Sequence, residues 1–352
     1  MRAREAGLRA ALAVAAVAVG LIALELACRL WQGPRWLVHW SNPAAEPPQL
    51  RDDRSLYVHD AELGYVPRAG AATATFTVDA DGFRRTATLA VAPSRPVLAM
   101  GDSFTEGYEV GDDESWPAYL QRLLERRVLN AGVSGYSLAQ IVLRTERLVA
   151  AVHPAVVVVA FIADDLPRGA LSRAWGHNLP WFEPVTTATG DIVAPRGVPV
   201  PPPPATTVSV WQRMLGWSML AGVVADRLGG GEAWIDGVVR EMPAAAAERT
   251  ACPLMRRLAA LGAPMLIVAQ YDADMWGRDT TGAAEQRRIA RLVLDCAEKS
   301  GLATLDLFDA VDTAVKQRGR DAIYRQWHHA PDGNRLVAAA IAEALRQRHL
   351  LP

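Results

Sequence analysis

The chain has 352 residues, a formal net charge of −1 and 51% hydrophobic residues, which suits one large α/β domain with an appendage. The balanced charge predicts no basic surface, so we expect no nucleic-acid partner. Its three cysteines, Cys28, Cys252 and Cys296, lack the paired spacing of a metal site. Neither a Walker-type nucleotide loop nor a dinucleotide-binding glycine motif occurs, which argues against those two classes.

The N-terminal segment is predicted to contact a membrane. Nineteen residues separate Arg9 from Arg29, and only Glu25 among them is charged. At helical rise they cover about 28 Å, close to the thickness of bilayer hydrocarbon. We predict a membrane anchor over residues 1–31 that crosses through residues 10–28, although a cleaved signal sequence stays open as the alternative. Arginines before the span predict a cytoplasmic N-terminus and an extracytoplasmic remainder, in the periplasm or at the cell exterior.

The cysteines outside this segment are expected to be buried free thiols. Cys296 shares a predicted helix face with Ile289, Leu292 and Val293, which places it in the core. A bond between Cys252 and Cys296 remains open for an extracytoplasmic domain.

Composition divides the rest of the chain into three parts. Residues 32–55 are rich in proline and polar residues and predict a linker. Residues 56–94 predict a small β-rich lead-in segment, and residues 95–350 the main domain. Within that domain the regular pattern lapses over residues 167–231, which predicts an insertion that overhangs the site and shapes specificity. A structural flap without substrate contact is the alternative. Residues 211–228 within it predict one amphipathic helix.

The main domain alternates strand and helix patterns. This alternation predicts a parallel sheet with both faces covered by helices, and ligands then bind at the carboxyl ends of the strands. Strands are predicted at residues 96–100, 128–129, 155–162, 264–269 and 302–308, and helices at 116–124, 138–149, 284–300 and 332–348.

A candidate nucleophile follows the first of these strands. Residues 100–107 read Met-Gly-Asp-Ser-Phe-Thr-Glu-Gly, so Ser103 stands where a strand ends and a turn begins. A hydroxyl there can be activated by a base. Thr105 occupies the position where the α/β-hydrolase elbow has glycine, which argues against that class.

A second block lies near the other end of the chain. Residues 327–334 read Trp-His-His-Ala-Pro-Asp-Gly-Asn. Together the two blocks resemble the first and last blocks of the SGNH/GDSL hydrolases, a family of serine esterases and acyl-transfer enzymes. The resemblance implies a flavodoxin-like three-layer α/β sandwich, a Ser103 acyl-enzyme and no metal or organic cofactor. Pro331 and Gly333 give the family register in which His328, and not His329, is the base.

The resemblance also implies an oxyanion site of Ser103, Gly135 and Asp164. Gly135 lies in residues 130–136, which are similar to the family's second block. Asp164 stands where the family has an asparagine that donates a side-chain N–H. An ionised carboxylate about 4 Å from an oxyanion would repel it by several kcal/mol. We therefore expect Asp164 to be neutral, to point elsewhere, or to leave the oxyanion to backbone donors.

The family acid is missing from its usual place. Two and three residues before His328 stand Gln326 and Arg325. The site is then a Ser–His dyad, or it takes its third member from Asp321 or Asp164.

We interpret the chain as a serine-dependent ester hydrolase of acyl esters, with envelope glycans or lipids as the expected substrates. An O-acyltransferase of exported polysaccharide would use the same residues with a sugar hydroxyl in place of water. A non-catalytic envelope binding protein that retains the fold is the second alternative, suggested by the departures at Asp164, Arg325 and Gln326.

Overall fold

The computed structural model describes residues 2–32, 37, 56–86, 94–188, 190–203, 209–228, 230, 234 and 237–351. The predicted linker, residues 32–55, lies outside the described residues apart from positions 32 and 37. The chain divides into two compact units. One contains residues 1–52, 173–176 and 203–239, and the other contains residues 53–172, 177–202 and 240–352.

The described strands are numbered in chain order. They are β1 Tyr57–Asp60, β2 Gly64–Pro67, β3 Val97–Met100, β4 Val128–Asn130, β5 Val156–Phe161, β6 Leu171–Ala174, β7 His177–Asn178, β8 Trp181–Thr187, β9 Gly190–Arg196, β10 Val239–Arg240, β11 Met265–Ala269 and β12 Ala303–Asp306.

The longer described helices carry most of the packing and are cited by their bounds. They are Arg2–Gln32, Trp116–Leu124, Leu138–Val152, Val210–Leu215, Met219–Arg227, Ala251–Ala259, Thr280–Lys299, Phe308–Arg318 and Pro331–Gln347. Short helices are Ser103–Glu106, Asp165–Arg168, Ala244–Ala247 and Arg320–Ile323.

A five-stranded sheet forms the centre of the larger unit. Its order is β12-β11-β5-β3-β4, and every pair is parallel. Among the five strands in chain order this is the arrangement 2-1-3-4-5 of flavodoxin-like folds, so the predicted fold class is confirmed. The order reverses between β3 and β5, which makes the end of β3 the expected place for a ligand.

Helices cover the two faces of this sheet. Alternate residues of β3 and β5, among them Val97, Ala99 and Val158, share one core with helices Trp116–Leu124, Phe308–Arg318 and Pro331–Gln347. The intervening residues point to the opposite face because side chains alternate along a strand. Helix Thr280–Lys299 packs against β11 and β12, and helix Ala251–Ala259 packs against Thr280–Lys299 and Leu138–Val152. The sequence pattern predicted these layers because continuous apolar runs are typical of strands buried on both sides.

The smaller unit contains the apolar N-terminal helix. Within Arg2–Gln32, the stretch Arg4–Trp31 is long and apolar enough to cross a membrane, and it is the one such helix among the described residues. A signal sequence has the same properties.

The helix predicted over residues 211–228 is divided. Val210–Leu215 ends at Gly216, and Met219–Arg227 begins after Ser218, whose side chain accepts a hydrogen bond from the N–H of Ala221. The continuous helix was wrong because Ser218 offers the new N-terminus a cap, which is energetically preferred to a helix-interior serine. The cover of the site by residues 167–231 stays a prediction.

Two cysteines expected to be free form a disulfide. Cys252, on helix Ala251–Ala259, is bonded to Cys296, on helix Thr280–Lys299, with their Cα atoms 4.6 Å apart. The apolar face around Cys296 correctly indicated burial, but burial is common to bonded and free cysteines. The expectation of free thiols is therefore wrong for this pair.

Removal of this disulfide should destabilise the larger unit without altering its fold. The bond spans 44 positions, so its loss enlarges the unfolded ensemble and should lower the free energy of unfolding by about 2–4 kcal/mol. Denaturant unfolding of Cys252→Ala/Cys296→Ala against the oxidised parent measures the difference. Cys28→Ala is the control for loss of a thiol, and equal stability of all three proteins would contradict the expectation.

Candidate active site

A tight turn presents Ser103 at the carboxyl end of β3. Gly101 follows the strand, and a Cβ there would lie 2.1 Å from Thr105 Oγ1 and 2.6 Å from the carbonyl oxygen of Ala160. Only glycine fits so close an approach. Asp102 then caps the helix Ser103–Glu106, because its Oδ1 accepts a hydrogen bond of 3.0 Å from the N–H of Phe104. The serine is thus held at the first position of a helix.

His328 meets this serine from the loop before the last helix. Its Nε2 lies 2.8 Å from Ser103 Oγ, a hydrogen bond between residues far apart in sequence. The structure therefore brings together the two residues that the sequence motifs single out. His329 is fully buried between Phe104 and Tyr324, and burial lowers its pKa to about 3, so it stays neutral.

The acidic residue beside His328 is Glu109, which the sequence analysis missed. Its Oε2 lies 3.7 Å from His328 Nδ1, and both side chains are mostly buried. Burial alone would raise the pKa of Glu109, but the His328 ring and the backbone N–H groups of His328 and Gln326 outweigh it and lower the pKa. Glu109 also has a φ of 70°, which non-glycine residues adopt at a cost. A carboxylate at this nitrogen favours the tautomer that leaves Nε2 free to accept the serine proton.

The two acids named from sequence lie elsewhere. The side chain of Asp321 is 95% exposed and lies 3.6 Å from Arg320. That of Asp164 is 61% exposed and lies 3.9 Å from Arg168. The sequence predicted either a Ser–His dyad or a third member from Asp321 or Asp164, whereas the acid beside His328 in the structure is Glu109. Asp321 is not the acid at His328 because it lies on a surface helical turn, where its carboxylate is solvated.

Two backbone N–H groups are candidates for the oxyanion site that the sequence motifs predict. Gly135 lies in a buried turn with a φ of 77°, a conformation that favours glycine. No hydrogen bond to another described residue uses its N–H, and the same holds for the N–H of Ser103 at the start of its helix. N–H groups of this kind are the usual donors of an oxyanion site. The role of Asp164 in that site stays a prediction, and its exposure agrees with a side chain that points away.

Two buried carboxylates share one arginine behind the nucleophile. Asp165 accepts a hydrogen bond of 2.6 Å from Arg168 Nη1, and Asp102 Oδ2 lies 3.6 Å from the same nitrogen. Burial raises the pKa of Asp102, and burial together with the charge of Asp102 raises the pKa of Asp165 well above its usual range. One arginine can neutralise only one of the two charges, so this pair favours holding a proton.

A third buried carboxylate connects the nucleophile helix to the loop of Gly135. Glu106 Oε2 accepts hydrogen bonds from the hydroxyl and, at 3.2 Å, from the N–H of Ser134. The hydroxyl of Tyr57 donates to the same carboxylate at 2.8 Å. Burial raises the pKa of Glu106 to about 7, although these donors partly offset it. The carboxylate thus fixes Gly135 relative to Ser103 through its neighbour Ser134.

The lead-in segment supports the same loops. Arg84 is buried and donates hydrogen bonds to the carbonyl oxygens of Glu106, at 2.6 Å, and Val110, at 2.7 Å. The hydroxyl of Tyr65 donates to the carbonyl oxygen of Ser134 at 2.5 Å. Residues that precede the central sheet therefore hold two parts of the candidate site. One is the segment after Ser103, bonded at Glu106 and Val110, and the other is the loop of Gly135, bonded at Ser134.

The side chains of the candidate site that could bind a metal ion are carboxylates, an imidazole and hydroxyls. Among the described residues, no three or more His, Cys, Asp or Glu side chains are grouped so that they would hold a metal ion.

Comparison with known proteins identifies the family. The model of the GDSL-like lipase/acylhydrolase family matches residues 99–336, which begin in β3 and end in the last helix. The matched stretch contains Ser103, Gly135, Asp164 and His328. The chain belongs to this family, as its two sequence blocks predicted.

Individual proteins of known sequence or structure share only part of their sequence with this chain. Esterase TesA of Pseudomonas aeruginosa is 30% identical over 116 residues, which are 32% of this chain and 58% of that protein. LAE5, an alpha/beta hydrolase enzyme from the metagenome of Lake Arreo, Spain, is 16% identical with a TM-score of 0.43, covering 73% of this chain and 97% of its own. Axe2, an acetylxylan esterase from Geobacillus stearothermophilus, is 14% identical with a TM-score of 0.43, covering 72% and 95%.

Ionisation of Glu106 should make stability pH-dependent. An unfolded glutamate titrates near 4.5 and the folded one at about 7, so the folded state binds the extra proton between these values. Stability contributed by the protonated form is therefore lost as pH rises through this window, by up to ~3 kcal/mol. Glu106→Gln cannot ionise, so its melting temperature should fall less than that of the parent between pH 5 and pH 8. Glu343→Gln, at an exposed glutamate, is the control, and parallel curves for the parent and Glu106→Gln would contradict the assignment.

Loss of the Glu109 charge should slow turnover without unfolding the protein. Glu109→Gln keeps the size of the side chain but removes the charge that orients and stabilises the His328 ring. We expect kcat for p-nitrophenyl acetate to fall about ten- to a thousandfold, with KM little changed.

Asp321→Asn and Asp164→Asn are the matched controls for this substitution, because each removes one carboxylate at an exposed position. Both should retain at least the parental kcat, because both carboxylates are exposed and lie beside arginines. An undiminished kcat in Glu109→Gln, or a large loss in Asp321→Asn, would contradict the placement of the acid.

Proposed function

We propose that this protein is a serine-dependent hydrolase of acyl esters that works through a Ser103 acyl-enzyme. The observation that carries the proposal is the line of three side chains from Ser103 through His328 to Glu109, at 2.8 Å and 3.7 Å. Nucleophile, base and orienting acid are the parts that serine acyl transfer requires. Membership of a lipase and acylhydrolase family supports the same reaction class.

The first half of the reaction acylates Ser103. Its Oγ attacks the ester carbonyl carbon while His328 Nε2 takes the hydroxyl proton. Negative charge develops on the carbonyl oxygen, where the N–H groups of Ser103 and Gly135 stabilise it. Glu109 stabilises the imidazolium that forms. His328 then returns the proton to the alkoxide, which leaves as an alcohol.

The second half releases the acyl group. Water replaces the alcohol, His328 Nε2 takes one of its protons, and hydroxide attacks the acyl carbon at the same oxyanion donors. Collapse of the intermediate frees the carboxylic acid, and His328 returns the proton to Ser103 Oγ, which restores the serine hydroxyl. The close-packed turn at Gly101 places Ser103 within hydrogen-bond reach of His328, which is the position that general base catalysis requires.

We infer that the reaction takes place outside the cytoplasm on esters of envelope glycans or lipids. The apolar helix Arg2–Gln32 supports a membrane anchor, and the arginines in its N-terminal turns support a cytoplasmic N-terminus. The Cys252–Cys296 disulfide supports an oxidising compartment for the remainder, because such bonds persist mainly there. An anchored enzyme in that compartment meets acylated polysaccharides and lipids at high local concentration.

The proposed nucleophile is tested by covalent labelling. A fluorophosphonate probe reacts with an activated serine, so the parent should be labelled and Ser103→Ala should not. Ser300→Ala, which removes a hydroxyl that donates to the carbonyl oxygen of Cys296 outside the site, is the control for probe selectivity and should still be labelled. An unlabelled parent, or label retained in Ser103→Ala, would contradict the proposal.

A further inference from the structure

Glu25 is an acidic residue within the apolar N-terminal helix, and its carboxylate is fully partnered. It is 7% exposed and accepts hydrogen bonds from Ser218 Oγ at 2.8 Å and from the N–H groups of Met219 and Leu220, each at 3.0 Å. It therefore caps the helix Met219–Arg227, whose positive end favours a carboxylate. A charge within an apolar helix is costly unless it is paired in this way.

Arg29 completes the link one turn further along. Its Nε lies 2.7 Å from Glu25 Oε1, and its Nη2 donates to the carbonyl oxygen of Trp217 at 2.6 Å. Arg29 is 1% exposed. Residues 217–220 are thus held by two side chains of one helix. At helical rise Glu25 lies about 6 Å from Arg29 toward the centre of the apolar stretch, so the link begins inside that stretch.

The segment fixed in this way exposes an apolar surface. Residues 214–225 contain no charged residue. The large apolar residues of residues 209–228 that are 40% exposed or more are Val210, Trp211, Met214, Leu215, Trp217, Val224 and Leu228. Helix Arg2–Gln32 also exposes apolar residues around the link, namely Leu24, Leu26, Leu30 and Trp31. The helices Arg2–Gln32 and Met219–Arg227 contact each other, and exposed apolar side chains grouped on neighbouring helices mark a partner or a membrane.

We propose that residues 209–228 form a second membrane contact, seated in the lipid of the leaflet in which the N-terminal helix ends. The occupant of the apolar surface is lipid because the Glu25–Arg29 link holds residues 217–220 against a helix surface that itself faces lipid. Two tryptophans, Trp211 and Trp217, supply the side chains that favour the headgroup level. The inference rests on the proposed membrane anchor.

Spin-label accessibility tests the lipid contact in the full chain. Single cysteines are introduced as Trp211→Cys, Met214→Cys and Val224→Cys in a Cys28→Ala background, labelled with a nitroxide, and reconstituted in phosphatidylcholine–phosphatidylglycerol vesicles. Val14→Cys, at a 70% exposed position of the apolar helix, reports the anchor itself. Ile192→Cys, which is as exposed as Val224 at 49%, is the matched control in the β8–β9 hairpin.

The expected result is several-fold higher relaxation by oxygen than by a water-soluble nickel complex at positions 211, 214 and 224, as at position 14, and the reverse at 192. If these three positions are as accessible to nickel as position 192 while position 14 is in lipid, the lipid contact of residues 209–228 is overturned and the anchor stays intact. Nickel accessibility at position 14 would overturn the anchor itself. Protection from both reagents at positions 211, 214 and 224 would show cover by protein, which also overturns the lipid contact.

A second variant tests the link. Glu25→Ala removes the cap and one partner of Arg29, so the label at 224 should gain nickel accessibility while the label at 14 keeps its oxygen preference. An unchanged profile at 224 would contradict the role of Glu25 in holding the segment at the membrane.

Discussion

The close approach of backbone at Gly101 is the constraint on which the candidate site depends. With no room for a Cβ between Thr105 and the carbonyl of Ala160, the chain passes from β3 into a helix within two residues. That turn buries Asp102, starts a helix at Ser103 and sends Glu106 back toward the loop of Gly135. A single turn therefore positions the Ser103 hydroxyl, the Ser103 N–H as one proposed oxyanion donor, and Glu106. Glu106 in turn positions Gly135, the other proposed donor.

The layers of the fold and two of the site residues were readable from sequence because their signals are local. Strand runs such as residues 156–161 are apolar throughout, and Ser115 caps its helix as predicted. Ser103 and His328 each lie in a short motif. Glu109 carries no such signal: it stands three residues past the nucleophile helix, and only the fold brings it to His328.

Other expectations failed where one pattern suits two structures. An apolar helix face around Cys296 is the same for a thiol and for a disulfide, and the partner cysteine lies on another helix. The amphipathic period over residues 211–228 continues across Gly216 and Ser218, so periodicity alone did not reveal the break. Ser218 was the available signal, because serine is a strong N-terminal cap and a poor interior residue.

The lead-in segment has a consequence for where this enzyme module begins. The family model starts at residue 99, yet Tyr57, Tyr65 and Arg84 bind the loops of the candidate site from outside that stretch. A domain exchange cut at residue 95 would transplant the serine, the histidine and the glutamate but leave behind three of the groups that hold their loops. A graft or an evolved version of this domain should accordingly begin at residue 56. The hydrogen bonds that hold the site extend further toward the N-terminus than the sequence similarity does.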